Sequence, residues 1–129
     1  MYVLNEVEDI LCKEIKDCVY RVHRELGPGL LEKIYEACFC HELKKKDIPF
    51  QRQVKLPVIY DGLIFEEGLK MDVLVDNIII CELKAIDNVN PIWQAQILSH
   101  LKLARLNVGF IINFNKGIIK DGIRRYCIS

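Results

Sequence analysis

The 129 residues are 51% apolar and 28% charged, the mix of an ordinary globular domain and not of a disordered chain. Eighteen Lys and Arg balance 18 Asp and Glu, so the formal charge is zero. That excludes a histone-like or ribosomal type of binder, whose affinity rests on whole-molecule charge, and leaves any nucleic-acid contact to a local patch.

A chain this long buries roughly two-thirds of its unfolded surface, so one domain over residues 1–129 is expected to fold without a disulfide or metal staple. Residues Met1 to Asp9 are acidic and lack the basic and apolar regions of a signal peptide. No apolar run approaches the roughly 20 residues of a membrane span, and a cytosolic protein with no membrane partner is expected. There the six cysteines, at 12, 18, 38, 40, 81 and 127, read as buried free thiols: none forms C-x-x-C, and a zinc site needs tighter grouping.

In chain order, residues 5–26 read as an amphipathic helix, with Val7, Leu11, Ile15, Cys18, Val22 and Leu26 recurring at spacings of three and four. Gly27-Pro28-Gly29 stops it. A second helix runs from Leu30 to Lys46, ended by Asp47-Ile48-Pro49. Residues 52–60 alternate as a strand that Pro57 confines to a sheet edge. Asp61-Gly62 is a hairpin signal leading into Leu63 to Glu67. Residues 69–75 and 78–85 form two further strands around Asp76-Asn77. Ile78-Ile79-Ile80-Cys81 is apolar on both faces, as a covered central strand requires. Asn90-Pro91 caps and opens a third helix that reaches Arg105. Val108 to Asn113 is another buried strand, and Gly122 to Ile128 a last one. Helix, helix, several strands, helix, strand, strand is an α/β order: a mixed sheet flanked by helices.

Charges that interrupt core patterns are the informative residues, because an unpaired buried charge is costly. Period-two alternation puts Ile78, Ile80, Glu82 and Lys84 on one strand face, which begins as core and ends with an acid beside a base. A rim ion pair is the plain reading of that tripeptide. The neighbouring strand adds Asp72 inside an apolar segment, and two carboxylates held together suit a hard cation such as Mg²⁺, with Lys84 stabilising developing negative charge.

Register tests this. A two-residue turn at Asp76-Asn77 pairs Asp72 with Cys81 and sends Asp72 and Glu82 to opposite faces. A shared site therefore requires an odd-length turn or a bulge with Asn77 left-handed. The register expected for it sets Leu74 against Ile78 and Lys70 against Glu82.

Glu32 projects between Tyr35, Phe39 and Leu43 in a mostly apolar sector of the second helix. It is either an acid favoured by the helix dipole or a third carboxylate aimed over the sheet. Gln96 and His100 share one face of the third helix, within reach of a phosphate, a base or a metal-bound water if that face turns inward. His23 and His41 have no partner motif.

Together these pieces resemble the small GxxExxY proteins of the PD-(D/E)XK nuclease superfamily. The naming motif stands as Gly29-Leu30-Leu31-Glu32-Lys33-Ile34-Tyr35 after Glu25-Leu26-Gly27-Pro28. The nuclease signature reads Asp72, then Glu82-Leu83-Lys84; Ala95-Gln96 and the strand Val108 to Phe114 match further segments. Where relatives with the Q-x-x-x-Y pattern carry tyrosine, this chain has His100.

The resemblance implies a restriction-endonuclease-like fold, an αβββαβ core with a mixed four-stranded sheet, plus an extra N-terminal helix. It implies Asp72, Glu82 and Glu32 as ligands of Mg²⁺ or Mn²⁺, Lys84 assisting the attacking water, and Gln96 supporting the lysine or substrate. Gln96, His100, Tyr35 and Lys70 would contact substrate. The activity implied is hydrolysis of nucleic-acid phosphodiesters, with DNA favoured. A lone domain of 129 residues offers little surface to grip a duplex and cut both strands, so a homodimer or a larger partner is expected.

Local basic patches are then needed; the candidates are Lys44-Lys45-Lys46, Arg52 with Lys55, Lys102 with Arg105, and Lys116, Lys120, Arg124 with Arg125. The contrasting reading is a non-catalytic nucleic-acid- or protein-binding module that retains the fold.

Overall fold

The structure, a computed structural model, describes residues 1–128; Ser129, the last residue of the expected domain, lies outside them. Helix α1 covers Glu6–Leu26 and α2 Glu32–Lys45; strands β1, Phe50–Tyr60, β2, Leu63–Val75, and β3, Ile79–Lys84, follow. Helix α3, Ile92–Ala104, leads to β4, Val108–Asn113, and a short 3-10 helix, Ile119–Gly122, to β5, Ile123–Cys127. The five strands lie in sequence order across one sheet. Only β3 and β4 are parallel, because the α3 crossover separates them; the other neighbours are antiparallel.

Helices α1 and α2 cover one face of the sheet. Leu11, Ile15, Cys18, Val22, Tyr35, Phe39 and Leu43 meet Val73, Val75, Ile79, Cys81, Phe110 and Ile112 in the main core. Helix α3 covers the other face, with Leu101 on Ile80, Met71 and Leu74, and Trp93 and Ile97 on Ile111. The expected mixed sheet with helices on both sides is therefore the observed one, with β5 as a fifth strand.

Local chemistry explains the elements. Asn5 accepts from the Glu8 N–H at 2.8 Å while Glu8 Oε1 accepts from the Asn5 N–H at 3.0 Å, a reciprocal cap that starts α1. Val7, expected in the core stripe, is exposed; the buried stripe is Leu11, Cys12, Ile15, Cys18, Val19 and Val22. Lys46 Nζ, 2.5 Å from Glu14 and 2.6 Å from Asp17, ties the end of α2 to α1.

Residues 63–75, read from sequence as two strands broken near Gly68, are one strand. Gly68 does not interrupt it but makes room: a Cβ there would lie 2.4 Å from Val58 Cγ2, next to the register shift that β1 takes between Leu56 and Val58. Of the cysteines, Cys12, Cys18, Cys40 and Cys81 are buried, Cys38 and Cys127 half-buried, and all six are free thiols. No helix among the described residues is long and apolar enough to cross a membrane.

Candidate metal centre and catalytic pocket

The β2–β3 turn decides the site. Val75 pairs with Ile79, leaving Asp76, Asn77 and Ile78 as a three-residue turn, with Asp76 at φ 51° and Asn77 at φ 56°. This is the odd-length, left-handed turn that a shared site needs, since short polar side chains tolerate that conformation. The ladder is displaced by two residues from the expected one. Leu74 faces Ile80 and Val73 faces Cys81, so the next step sets Asp72, not Lys70, across from Glu82. A slip of two preserves the face, which is why the two acids still converge. The ladder ends there: Asp72 Oδ2 itself accepts the Leu83 N–H at 2.8 Å.

Asp72, Glu82, Lys84, Glu32, Lys70, Gln96 and His100 line one cavity of about 210 Å³, walled by Trp93, Ile97 and Ile111. They reach it from four elements: β2 carries Lys70 and Asp72, β3 Glu82 and Lys84, α3 Gln96 and His100, and α2 Glu32. Glu82 is buried and Lys84 half-buried at the end of β3, beside Ile111 and Asn113 of β4. Gln96 and His100 come from the sheet-facing side of α3. Glu32 is the first residue of α2, which belongs to the opposite layer, yet its helix begins at the edge of the pocket. Glu32 thus stands in the first turn of α2, where the helix dipole favours an acid, and also lines the cavity.

Burial first, and neighbouring acids second, raise two of these carboxyls. Burial, and then the charge of Glu82, push Asp72 up to about 7, against the Leu83 N–H that pulls it down. Glu32 is raised as well, by burial of its carboxyl and by Glu36 and Glu82, against the pull of Lys84 and Lys70. A cation between these carboxylates would relieve that repulsion, and a hard divalent ion is commonly held by one or two carboxylates, waters and substrate phosphate. The donor set fits such an ion. Among the described residues no group of three or more His, Cys, Asp or Glu side chains is placed to hold a metal ion, so Asp72, Glu82 and Glu32 do not form a closed three-ligand set.

Neighbours fix the remaining groups. His100 Nδ1 lies 2.8 Å from Glu82 Oε1, where the ring N–H donates to the carboxylate and sets its orientation. Lys84 Nζ sits over the Trp93 ring, 5.2 Å from its centre, a cation–π contact that aims the ammonium along the pocket wall.

Two residues given no role from sequence lie beside the site. Trp93, three residues before Gln96 and seven before His100, repeats the same helix face. Glu36 is one turn beyond Glu32 and buried; its carboxylate accepts from Arg52 Nε at 3.0 Å and from Gln53 Nε2 at 2.7 Å. Gln53 is left-handed at φ 52° within β1. The signal for both was helical spacing from a residue already singled out.

Tyr35 is the one expected substrate residue that the structure does not bring to the pocket. It is fully buried, stacked on Phe114 at 4.6 Å between ring centres. Its hydroxyl donates to the Gly27 carbonyl at 2.6 Å and accepts the Leu30 N–H at 3.1 Å. It thus pins the loop that carries Gly27 at φ 65° and Gly29 at φ 105°, and so sets where α2 starts.

Two of the basic patches are partly neutralised internally. Lys45 pairs with Glu42, Lys46 with Glu14 and Asp17, Arg52 with Glu36, and Lys55 with Glu67.

A mixed sheet covered on both faces, with an acid on one central strand and an acid and a lysine on the next, defines a restriction-endonuclease-like fold. Residues 9–126 match the family model of the PD-(D/E)XK nuclease superfamily, and the chain belongs to that superfamily. Neither a curated protein nor a solved structure gives a significant match.

Proposed function

We propose that the protein is a divalent-metal-dependent nuclease hydrolysing phosphodiester bonds of nucleic acid, DNA in preference, and that within its superfamily it stands with the GxxExxY proteins. The observation that carries this reading is the three-residue turn, which sets Asp72 opposite Glu82 on the face that also bears Lys84.

Asp72 and Glu82 would hold Mg²⁺ or Mn²⁺, with Glu32 completing the acidic rim. When bound, the ion supplies neutralisation of the scissile phosphate and a more acidic water. The chain's own groups do the rest. Lys84, aimed by Trp93, places a positive charge where the phosphoryl group gains negative charge. Lys70 and Gln96, both solvent-exposed at the pocket mouth, bind phosphate oxygens and orient the strand. His100 keeps Glu82 in one rotamer, so the ligand set is ordered before substrate arrives.

The test is calorimetric titration of Mg²⁺ and Mn²⁺ into wild type and into Asp72→Ala with Glu82→Ala, followed by a nuclease assay on the same samples. Saturable binding lost in the double variant, with Mn²⁺-dependent cutting lost in Lys84→Ala, is the expected result. Absence of saturable metal binding even with nucleic acid present would overturn it in favour of a non-catalytic module.

A further inference from the structure

A second cavity, of about 220 Å³, opens beside the catalytic pocket, and Trp93 and Ile111 line both. Its other walls include Tyr126 and Arg124 from β5, Lys116 from the turn after β4, and one acid, the exposed Asp121 of the 3-10 helix. Arg124 pairs across the ladder with Ile111, and Tyr126 with Gly109, so both side chains stand on the α3 face of the sheet. Tyr126 is half-buried against Trp93, Ile97 and Ile111, leaving part of its ring to the cavity. Lys116 is held by its own backbone: His23 Nε2 lies 2.6 Å from its carbonyl oxygen, which gives a use to a histidine that carried none in sequence.

The cations of this cleft are not spent on ion pairs. Those of the Lys44-Lys45-Lys46 patch and of Arg52 with Lys55 are partly paired with Glu14, Asp17, Glu36, Glu42 and Glu67, whereas among the described residues neither Arg124 nor Lys116 has an ion-pair partner. Lys102 and Arg105 are likewise unpaired among the described residues but line neither cavity. Two unspent cations beside an aromatic ring, joined by a shared wall to a phosphodiesterase-type pocket, match the two chemistries of a nucleotide: phosphate and base.

We propose that this cleft is the subsite for an unpaired nucleotide adjoining the scissile phosphate, so that the substrate strand is single-stranded where it leaves the catalytic pocket. The inference rests on the nuclease reading above and adds the substrate class. Tyr126 stacks on the base, and Arg124 and Lys116 hold the following phosphate. A cleft of this volume takes one splayed nucleotide, while a paired base is sealed within its duplex and presents no face to Tyr126.

The test uses wild type in EDTA, with a short fluorescein-labelled single-stranded oligodeoxynucleotide and the same sequence as a blunt duplex. Anisotropy is the main readout, and fluorescence of Trp93, the chain's single tryptophan, is the second. The single strand is expected to bind about tenfold more tightly than the duplex and to quench Trp93. Arg124→Gln and Tyr126→Ala should each weaken it about tenfold, the scale of one lost stacking or phosphate contact, and Tyr126→Phe should restore it.

Arg124 is exposed, so loss in that variant is not a folding effect. Equal affinity for duplex and single strand, or unchanged binding in Arg124→Gln and Tyr126→Ala, overturns the subsite. If wild type nonetheless binds Mn²⁺ and cuts, the nuclease reading stands without it. Cleft-dependent binding with neither Mn²⁺ uptake nor cutting overturns the nuclease reading instead.

Discussion

Replacing Asp72 by asparagine makes the metal-free protein more stable, and the gain grows with pH. Folding raises the carboxyl from an ordinary 3.8 to about 7, so between those values the native state keeps a proton that the unfolded chain has released. Stability is therefore withdrawn as pH rises through that window, and the full cost is present above it. A shift of that size corresponds to a ceiling of about 4 kcal/mol, and water reaching the half-buried carboxyl lowers it to on the order of 2 kcal/mol.

Asparagine carries no charge but keeps an oxygen to accept the Leu83 N–H. Urea denaturation in EDTA at pH 4 and pH 8 measures the difference. The two proteins should be near-equal at pH 4, with the variant about 2 kcal/mol ahead at pH 8. Excess Mn²⁺ should then stabilise wild type alone. Glu82→Gln, which removes the second cause of the shift but not the burial, should lower the Asp72 titration seen by carboxyl NMR while leaving it above 3.8. A variant less stable than wild type at pH 8, or a difference that does not change with pH, would refute the reasoning.

Other outcomes follow from neighbouring contacts. Tyr35→Phe leaves the Gly27 carbonyl and Leu30 N–H without their partner and should cost about 1–2 kcal/mol by urea denaturation. Its Mn²⁺ affinity should stay that of wild type; a selective loss of substrate affinity instead would return the residue to the binding surface. Gly68→Ala forces a methyl group against Val58, and calorimetric melting should show a loss of about 1–3 kcal/mol. His100→Ala frees Glu82 and should weaken Mn²⁺ binding by about tenfold in a direct titration; an unaltered affinity would mean the ring does not set the carboxylate.

Much of this molecule was legible from residue order because its signals are local. The glycines after Leu26, the apolar run of β3 and the proline before α3 each act within a few residues. The acids stood out because they break apolar patterns, and parity alone demanded an odd turn. The failures came where a distant partner decides. Gly68 looks like a break unless Val58 is seen packed over it. The ladder offset depends on two consecutive left-handed residues, where one was expected. Tyr35 sits in the same motif as Glu32, and only the stacked Phe114 and the Gly27 loop reveal it as a buried strut. Ion pairs between elements, such as Arg52 with Glu36, likewise dissolve patches that look continuous along the chain.

The contrast between the short β2–β3 turn and the helical crossover to β4 bears on how the molecule is made. Closing three residues costs little entropy, whereas the parallel pairing waits for the whole α3 connection, a long-range closure that slows folding. The hairpin thus gathers Asp72 and Glu82 ahead of the layer that shelters them, and their mutual repulsion loads the nascent hairpin itself. Burial under that layer is what chiefly raises Asp72, so its docking takes up a proton and refolding without metal is faster near pH 5 than near pH 8. The residues that suit the finished site to a cation make the chain's own assembly sensitive to what neutralises them.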